Sequence, residues 1–191
     1  MKMESKEFKA AQHRHIQHLF GCKKHPDIKY IPVSISGDFE VDVDYHVTVT
    51  IEDVTNDFYY NILLHKGIEI TDNNPLNFKA RHRWIIDNAH GNIAVFGLGL
   101  GDSLHYLLQQ EKVRNIDVFE KESDVITLVV PKFKDSKVSF YQGDAYNVEL
   151  TKEYDCIYCA IWNVTPSKDD IDTLTKKHAL NSKGQIGFIY C

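Results

Sequence analysis

Residues 92–108 read NIAVFGLGLGDSLHYLL: an apolar run, glycines at alternate positions 97, 99 and 101, then apolar residues at helical spacing. No other stretch constrains the fold as much. A strand that is apolar throughout is buried on both faces, and that is the habit of parallel sheets covered by helices. A glycine turn leading from such a strand straight into a helix is the first unit of a doubly wound α/β sheet.

The rest of the C-terminal part agrees with that unit. Strands are expected at 92–97, 115–120, 137–141, 154–161 and 184–190, with helices at 102–110, 123–130 and 167–179. A preceding helix opens with Asn74 as N-cap and Pro75 at its first position, and Gly91 reads as its C-terminal signal. Five strands with helices between them predict right-handed βαβ units on a parallel sheet.

The pattern before residue 75 is different. Residues 28–70 read as antiparallel β, with turn signals at Ser36-Gly37-Asp38 and Asn56-Asp57. Val41, Val43, Tyr45, Val47, Val49 and Ile51 alternate with Asp42, Asp44, His46, Thr48 and Thr50, which predicts one buried and one wet face. The expected organisation is a helical, His-rich segment at 1–27, a small antiparallel β domain at 28–74 and a Rossmann-like α/β domain at 75–191.

Ligands of such sheets sit beyond the carboxyl ends of the strands. Gly97 can take backbone angles closed to other residues, Gly99 removes a side chain where a ligand approaches, and Gly101 lets the helix pack close. The free amides at the start of the following helix favour an anionic group. Glu120 ends the second strand, about 20 residues beyond the glycines, the spacing of a ribose-binding acid. Asp144, in YQGDAYN, ends the third strand on the same rim and is placed to accept from an adenine amine. Glycines, then Glu, then Asp at three consecutive strand ends predict a nucleoside site.

The stretches AVFGLGLGDSLHYLL, IDVFEKESDVI, VSFYQGDAYN and YDCIYCAIW resemble motifs one to four of class I S-adenosylmethionine-dependent methyltransferases. They look closest to the spermidine synthase-like branch and to small methyltransferase-like proteins of bacteria and their phages. The resemblance covers residues 75–191 and implies S-adenosylmethionine as cofactor. It implies that Gly97, Leu98, Gly99, Gly101 and Asp102 line its methionine and ribose. Glu120 then binds the ribose hydroxyls, while Lys121, Asp144 and Ala145 border the adenine and Ala160 and Trp162 face the methyl.

Three positions depart from the family pattern. Phe96 stands where many members carry an acid, and Lys121 where an apolar residue packs on adenine. Ala160 replaces an Asp that in aminopropyltransferases serves the attacking amine. The expected core has five parallel strands and lacks the family's final antiparallel hairpin, which leaves the apolar edge of the last strand to be covered by the N-terminal sheet or, the favoured reading, by a second copy of the chain. The expected function is methyl transfer to an acceptor that the sequence does not identify. The alternatives are aminopropyl transfer and a catalytically silent nucleoside-binding protein.

The remaining features are weaker. Cys156 and Cys159 lie in a strand, so their thiols point to opposite faces as core residues, unlike a redox pair at a helix start. His15, His18, Cys22 and His25 would share a helical stripe, but Gly21 and Pro26 interrupt it, so a surface helix is favoured over a zinc site. His46 and His65 are acid–base candidates, and Asn163 after Trp162 reads as part of the acceptor wall. No G-x-S-x-G, P-loop lysine or H-E-x-x-H occurs. The net charge of −5 argues against non-specific nucleic-acid binding. No 18-residue apolar run and no N-terminal apolar signal core occur, so the expected location is the cytoplasm.

Overall fold

The structure, a computed structural model, describes residues 23–24, 31, 34–51, 54–72, 81–162 and 165–190. The His-rich segment other than Lys23–Lys24, the Asn74–Pro75 helix start and Asn163 lie outside the described residues, and so does the side chain of His46.

The first sheet is antiparallel apart from a two-residue strand. It comprises β1 (Lys23–Lys24), β2 (Ser34–Ser36), β3 (Phe39–Ile51), β4 (Val54–His65) and β5 (Ile68–Asp72). Its order is β1-β4-β3-β2, with β5 also paired to β4. The turn expected at Ser36–Asp38 is present: Ser36 pairs with Phe39, and Gly37 has φ 56°. The turn expected at Asn56-Asp57 is not. Both residues lie within β4, opposite Val49 and Thr48, and the hairpin reverses between Ile51 and Val54. Pairing along a long ladder outweighs the turn preference of two Asx residues. The alternation expected along β3 is also interrupted. Pairing passes from Val43↔Asn61 to His46↔Tyr59, so β3 carries one extra residue, a β-bulge. A further hairpin, invisible in the run YYNILLHKGIEI, turns at Lys66-Gly67. Both residues have positive φ, 53° and 78°, as a two-residue turn of the primed type requires.

The second sheet is parallel. Following α1 (Arg83–Asn88), the chain alternates β6 (Gly91–Phe96), α2 (Asp102–Leu108), β7 (Val113–Glu120), α3 (Ser123–Val129), β8 (Val138–Gln142), β9 (Tyr154–Trp162), α4 (Lys168–His178) and β10 (Ser182–Tyr190). Its order is β10-β9-β6-β7-β8. The first strand of the unit is therefore central, and the order reverses between β6 and β9, which is the Rossmann-like arrangement. The third helix ends at Val129, before Pro131 as expected, and Pro131 sits in a 3₁₀ turn, Val130–Lys132, that follows it. Gly91 does not cap α1, which ends at Ala89. It opens β6 with φ 68°, where a Cβ would collide with the Asp155 carboxylate that accepts from Asn92 N–H at 2.7 Å.

Both faces of the parallel sheet are buried, as its apolar strands require. Val95, Cys156 and Tyr158 belong to one core cluster; Ala94, Phe96, Ile157 and Cys159 belong to the other. The two cysteines thus face opposite ways, as the strand reading predicted. Burial raises both thiols, Cys159 to about 12, which keeps them protonated and unreactive.

The antiparallel sheet shares the first cluster. Phe39, Val41 and Leu63 pack with Val125, Leu128 and the β6 side chains. Ser36 Oγ donates to Asp124 Oδ1 at 2.7 Å, and Gly37 lies flat on the same carboxyl group, where a Cβ would collide. Asn61, fully buried, pins Ile31 by accepting from its N–H at 2.9 Å and donating to its carbonyl at 3.0 Å. The sheet is therefore held over the carboxyl ends of β6 and β7.

Candidate functional site

A cavity of about 430 Å³ opens at those strand ends, within the size range of small-molecule sites. Gly97, Leu98, Gly99 and Asp102 line it from the glycine turn; Glu120 and Lys121 line it from the end of β7. Asp144 and Ala145 border it after β8, and Ala160 and Trp162 at the end of β9. Of the residues expected at the site, only Gly101 stays out of the lining. It is buried beneath the Phe133 ring, which a Cβ would strike.

The three glycines answer to three different neighbours. Gly97, φ 90°, lies against the Ala160 carbonyl, so its missing side chain makes room for β9. Gly101, φ 83°, makes room for Phe133. At Gly99, φ 50°, a Cβ would touch only one atom, Thr71 Cγ2 at 3.4 Å, and would fit without a collision. The left-handed backbone expected of Gly97 is present, and the same position also makes room for β9. At Gly101 the close neighbour is the Phe133 ring, from the α3 side, and not the strand against which the helix was expected to pack.

Glu120 is fixed at the rim. Its Oε2 accepts from Leu98 N–H at 2.7 Å and its Oε1 from Glu122 N–H at 2.9 Å. One carboxylate therefore ties the loop after β6 to the loop after β7. Each oxygen keeps a further acceptor position. Asp144 is held similarly: Oδ1 accepts from Tyr146 N–H at 2.9 Å, and Oδ2 faces Lys121 Nζ at 3.6 Å. His178, buried under α4, donates from Nε2 to the Ala145 carbonyl at 2.9 Å and stacks on Phe96 at 4.5 Å between centroids. A carbonyl only accepts, so Nε2 carries the proton.

Asp102 keeps part of its surface open to the cavity, yet it sits deep enough to lose bulk water. Burial raises its carboxyl well above the usual range; Arg81 opposes the shift and Asp72 adds to it. Arg81 also lines the cavity and grips Asp72 with two bonds, at 3.0 and 3.2 Å. On the β9 side Tyr146 donates to Asp170 Oδ1 at 3.1 Å and takes a hydrogen bond from Trp162, and burial raises its phenol.

Among solved structures part of the fold is similar to parts of several proteins. The N-methyltransferase NodS from Bradyrhizobium japonicum WM9, in complex with S-adenosyl-L-homocysteine, is 15% identical, with 58% of each chain covered and a TM-score of 0.48. An S-adenosylmethionine-dependent methyltransferase from Clostridium acetobutylicum ATCC 824 is 17% identical, over 56% of this chain and 46% of that one, with a TM-score of 0.44. The DhpI-SAM-HEP complex is 14% identical, over 57% and 51%, with a TM-score of 0.47. The present chain thus spans about half the length of these structures. No protein-family model matches the sequence. No curated protein matches it either.

The sequence reading did not anticipate Arg81, His82, Phe39, Leu63, Ile70 or Thr71 in the lining. Arg81 and His82 left a faint trace in the polar run KARHRW that precedes an apolar helix turn. The other four carry no local signal. They lie on the antiparallel sheet and reach the glycine turn only through tertiary packing. Among the described residues no cluster of His, Cys, Asp and Glu has the makings of a metal site, and no helix is long and apolar enough to cross a membrane.

Proposed function

We propose that the cavity binds S-adenosylmethionine and that the protein is a methyltransferase. The observation that carries this reading is the Glu120 carboxylate, fastened between the glycine loop and the β7 loop at the cavity rim with acceptor positions to spare. A ribose diol supplies the two donors such a carboxylate lacks. Charge separates this cofactor from a dinucleotide. The described lining holds four carboxyl groups (Asp102, Glu120, Glu122 and Asp144) against two fixed cations, Arg81 and Lys121. An acidic cavity suits a sulfonium cation and repels a pyrophosphate.

In this reading Gly99 gives room to the methionine chain, and Asp102 takes the α-ammonium. Arg81, beside Asp102, takes the α-carboxylate. The stem of Lys121 covers the adenine while its ammonium stays with Asp144. S-adenosylmethionine supplies a methyl group already activated on sulfur. The residues around it then need to align an acceptor more than to exchange protons. Arg81 also bears on the aminopropyltransferase alternative, because a decarboxylated cofactor leaves that cation without its anion. Ala160 argues the same way.

The test is calorimetric titration of the protein with S-adenosylhomocysteine, S-adenosylmethionine and the decarboxylated cofactor. Micromolar binding of the first two is expected, with Glu120→Ala weakening both by at least about tenfold, since bonds to a charged group contribute roughly 1.5–3 kcal/mol. Preference for the decarboxylated compound points to aminopropyl transfer, and no binding of any of the three removes the reading.

A further inference from the structure

One wall of the cavity is not used by the cofactor assignment above. Phe39, Leu63, His65, Ile70 and Thr71 line it from the antiparallel sheet. Thr71 places this wall within van der Waals reach of Gly99, at the methionine end, away from the Asp144 rim. The sheet is anchored there by the Ser36–Asp124 bond and by Phe39 and Leu63 in the shared core, so the wall is preformed.

The chemistry of the wall is distinctive. Phe39 and His65 are cross-strand partners whose rings lie nearly parallel, 14° apart with centroids at 4.6 Å. Ile70, partly exposed, adds apolar surface beside them, and Leu63 backs the wall from the core. No carboxylate, lysine or arginine of the sheet joins the lining, and His65 is the one titratable side chain there among the described residues. The cavity's charged groups come from the other elements: Asp102 from the glycine turn beside Arg81, Glu122 from the loop after β7, and three that already hold partners. Glu120 holds two backbone N–H groups, Asp144 faces Lys121, and Arg81 grips Asp72. The other lining imidazole, His82, lies beside Tyr106 at 5.2 Å, on the Arg81 side. Opposite the sheet stand Trp162 and Tyr146, which are hydrogen-bonded to each other.

We propose that this wall is the acceptor seat, and that it takes a small, flat, uncharged aromatic molecule bearing a hydroxyl group. The ring packs on Ile70 and the Phe39–His65 pair, and the hydroxyl hydrogen-bonds to the His65 imidazole. A flat ring suits flat walls of aromatic and branched side chains. A charged acceptor would meet no counter-ion on the sheet, and burying an unpaired charge is costly. A neutral hydroxyl needs one polar partner, and His65 supplies it. This rests on the methyltransferase reading only for the word acceptor; the seat itself is defined by the residues of the sheet.

The experiment titrates the protein with 2-naphthol, with 2-naphthoate and 2-naphthylmethylamine as anionic and cationic counterparts of the same shape. Binding is followed by calorimetry and Trp162 fluorescence, with and without saturating S-adenosylhomocysteine. The expected result is that 2-naphthol binds best and still binds with S-adenosylhomocysteine present. His65→Gln and Phe39→Leu are each expected to weaken it about tenfold while leaving S-adenosylhomocysteine affinity within about twofold. Either variant suffices if the other does not fold. The proposal is overturned if a charged probe binds better, if neither variant changes 2-naphthol affinity, or if S-adenosylhomocysteine displaces 2-naphthol. Failure of S-adenosylhomocysteine to bind overturns the cofactor reading instead, while the 2-naphthol measurements on the two variants still decide the seat.

Discussion

At the scale of single residues, Gly97 and Gly99 are one repeat of the same motif and are held by different physics. Alanine at Gly97 must displace the Ala160 carbonyl and occupy a φ of 90°, so both clash and strain oppose it. Alanine at Gly99 meets only a methyl group at 3.4 Å and a milder φ of 50°. Denaturant unfolding is expected to show a loss of about 3 kcal/mol or more for Gly97→Ala and about 1 kcal/mol for Gly99→Ala. Equal losses would mean that the glycine turn is not packed against β9 in solution. His178 makes a second prediction. Burial lowers its pKa from 6.5, so the folded state holds the neutral imidazole. Its contribution to stability is complete above pH 6.5 and is lost as pH falls through the lowered value, because the unfolded chain then binds the extra proton. The melting temperature of the wild type should drop more steeply from pH 7 to 5 than that of His178→Gln.

At the scale of elements, α4 shows how local chemistry sets a boundary. Ser167 caps it in both directions: its Oγ accepts from Asp170 N–H at 3.1 Å, and Asp170 Oδ2 accepts from Ser167 N–H at 3.1 Å. Acids stand in the first turn, and Lys176, Lys177 and His178 in the last, which suits the helix dipole. The same Asp170 receives the Tyr146 phenol, so the cap also steadies a cavity wall. Ser167→Ala is expected to cost about 1 kcal/mol. Amide exchange should quicken over residues 168–171, with β6 unchanged. The N-terminal hairpins show the opposite case. Asn56-Asp57 has the composition of a turn and is strand, while Lys66-Gly67 has half of it and is a turn. Ladder pairing along β3 and β4 chose between them, and that pairing depends on residues distant in sequence.

At the scale of the whole molecule, the two sheets do not have separate interiors. Phe39, Val41 and Leu63 of the first share a core cluster with Ile93 and Val95 of the second and with Val125 of α3. Neither surface can leave the other without exposing apolar area, which makes their unfolding cooperative. Differential scanning calorimetry should therefore record one transition, and a bound ligand should move all of it. Two resolved peaks, only one of them shifted by S-adenosylhomocysteine, would show that the antiparallel sheet folds by itself. The cavity belongs to this joint architecture, because residues of both sheets and of the loops at their ends line it.

Strand identity, the βαβ alternation and the rim acids Glu120 and Asp144 were legible along the chain, because periodicity, turn chemistry and strand-end position are local quantities. The opposed burial of Cys156 and Cys159 followed from the same two-residue repeat. What came so close to the glycines was decided elsewhere: a carbonyl of β9 at Gly97, a phenyl ring at Gly101 and, at Gly99, the Thr71 methyl group. So was the wall of Phe39, Leu63 and His65 facing a turn more than 30 residues further on. Contacts of that range are set by how sheets pack, which no window of sequence contains.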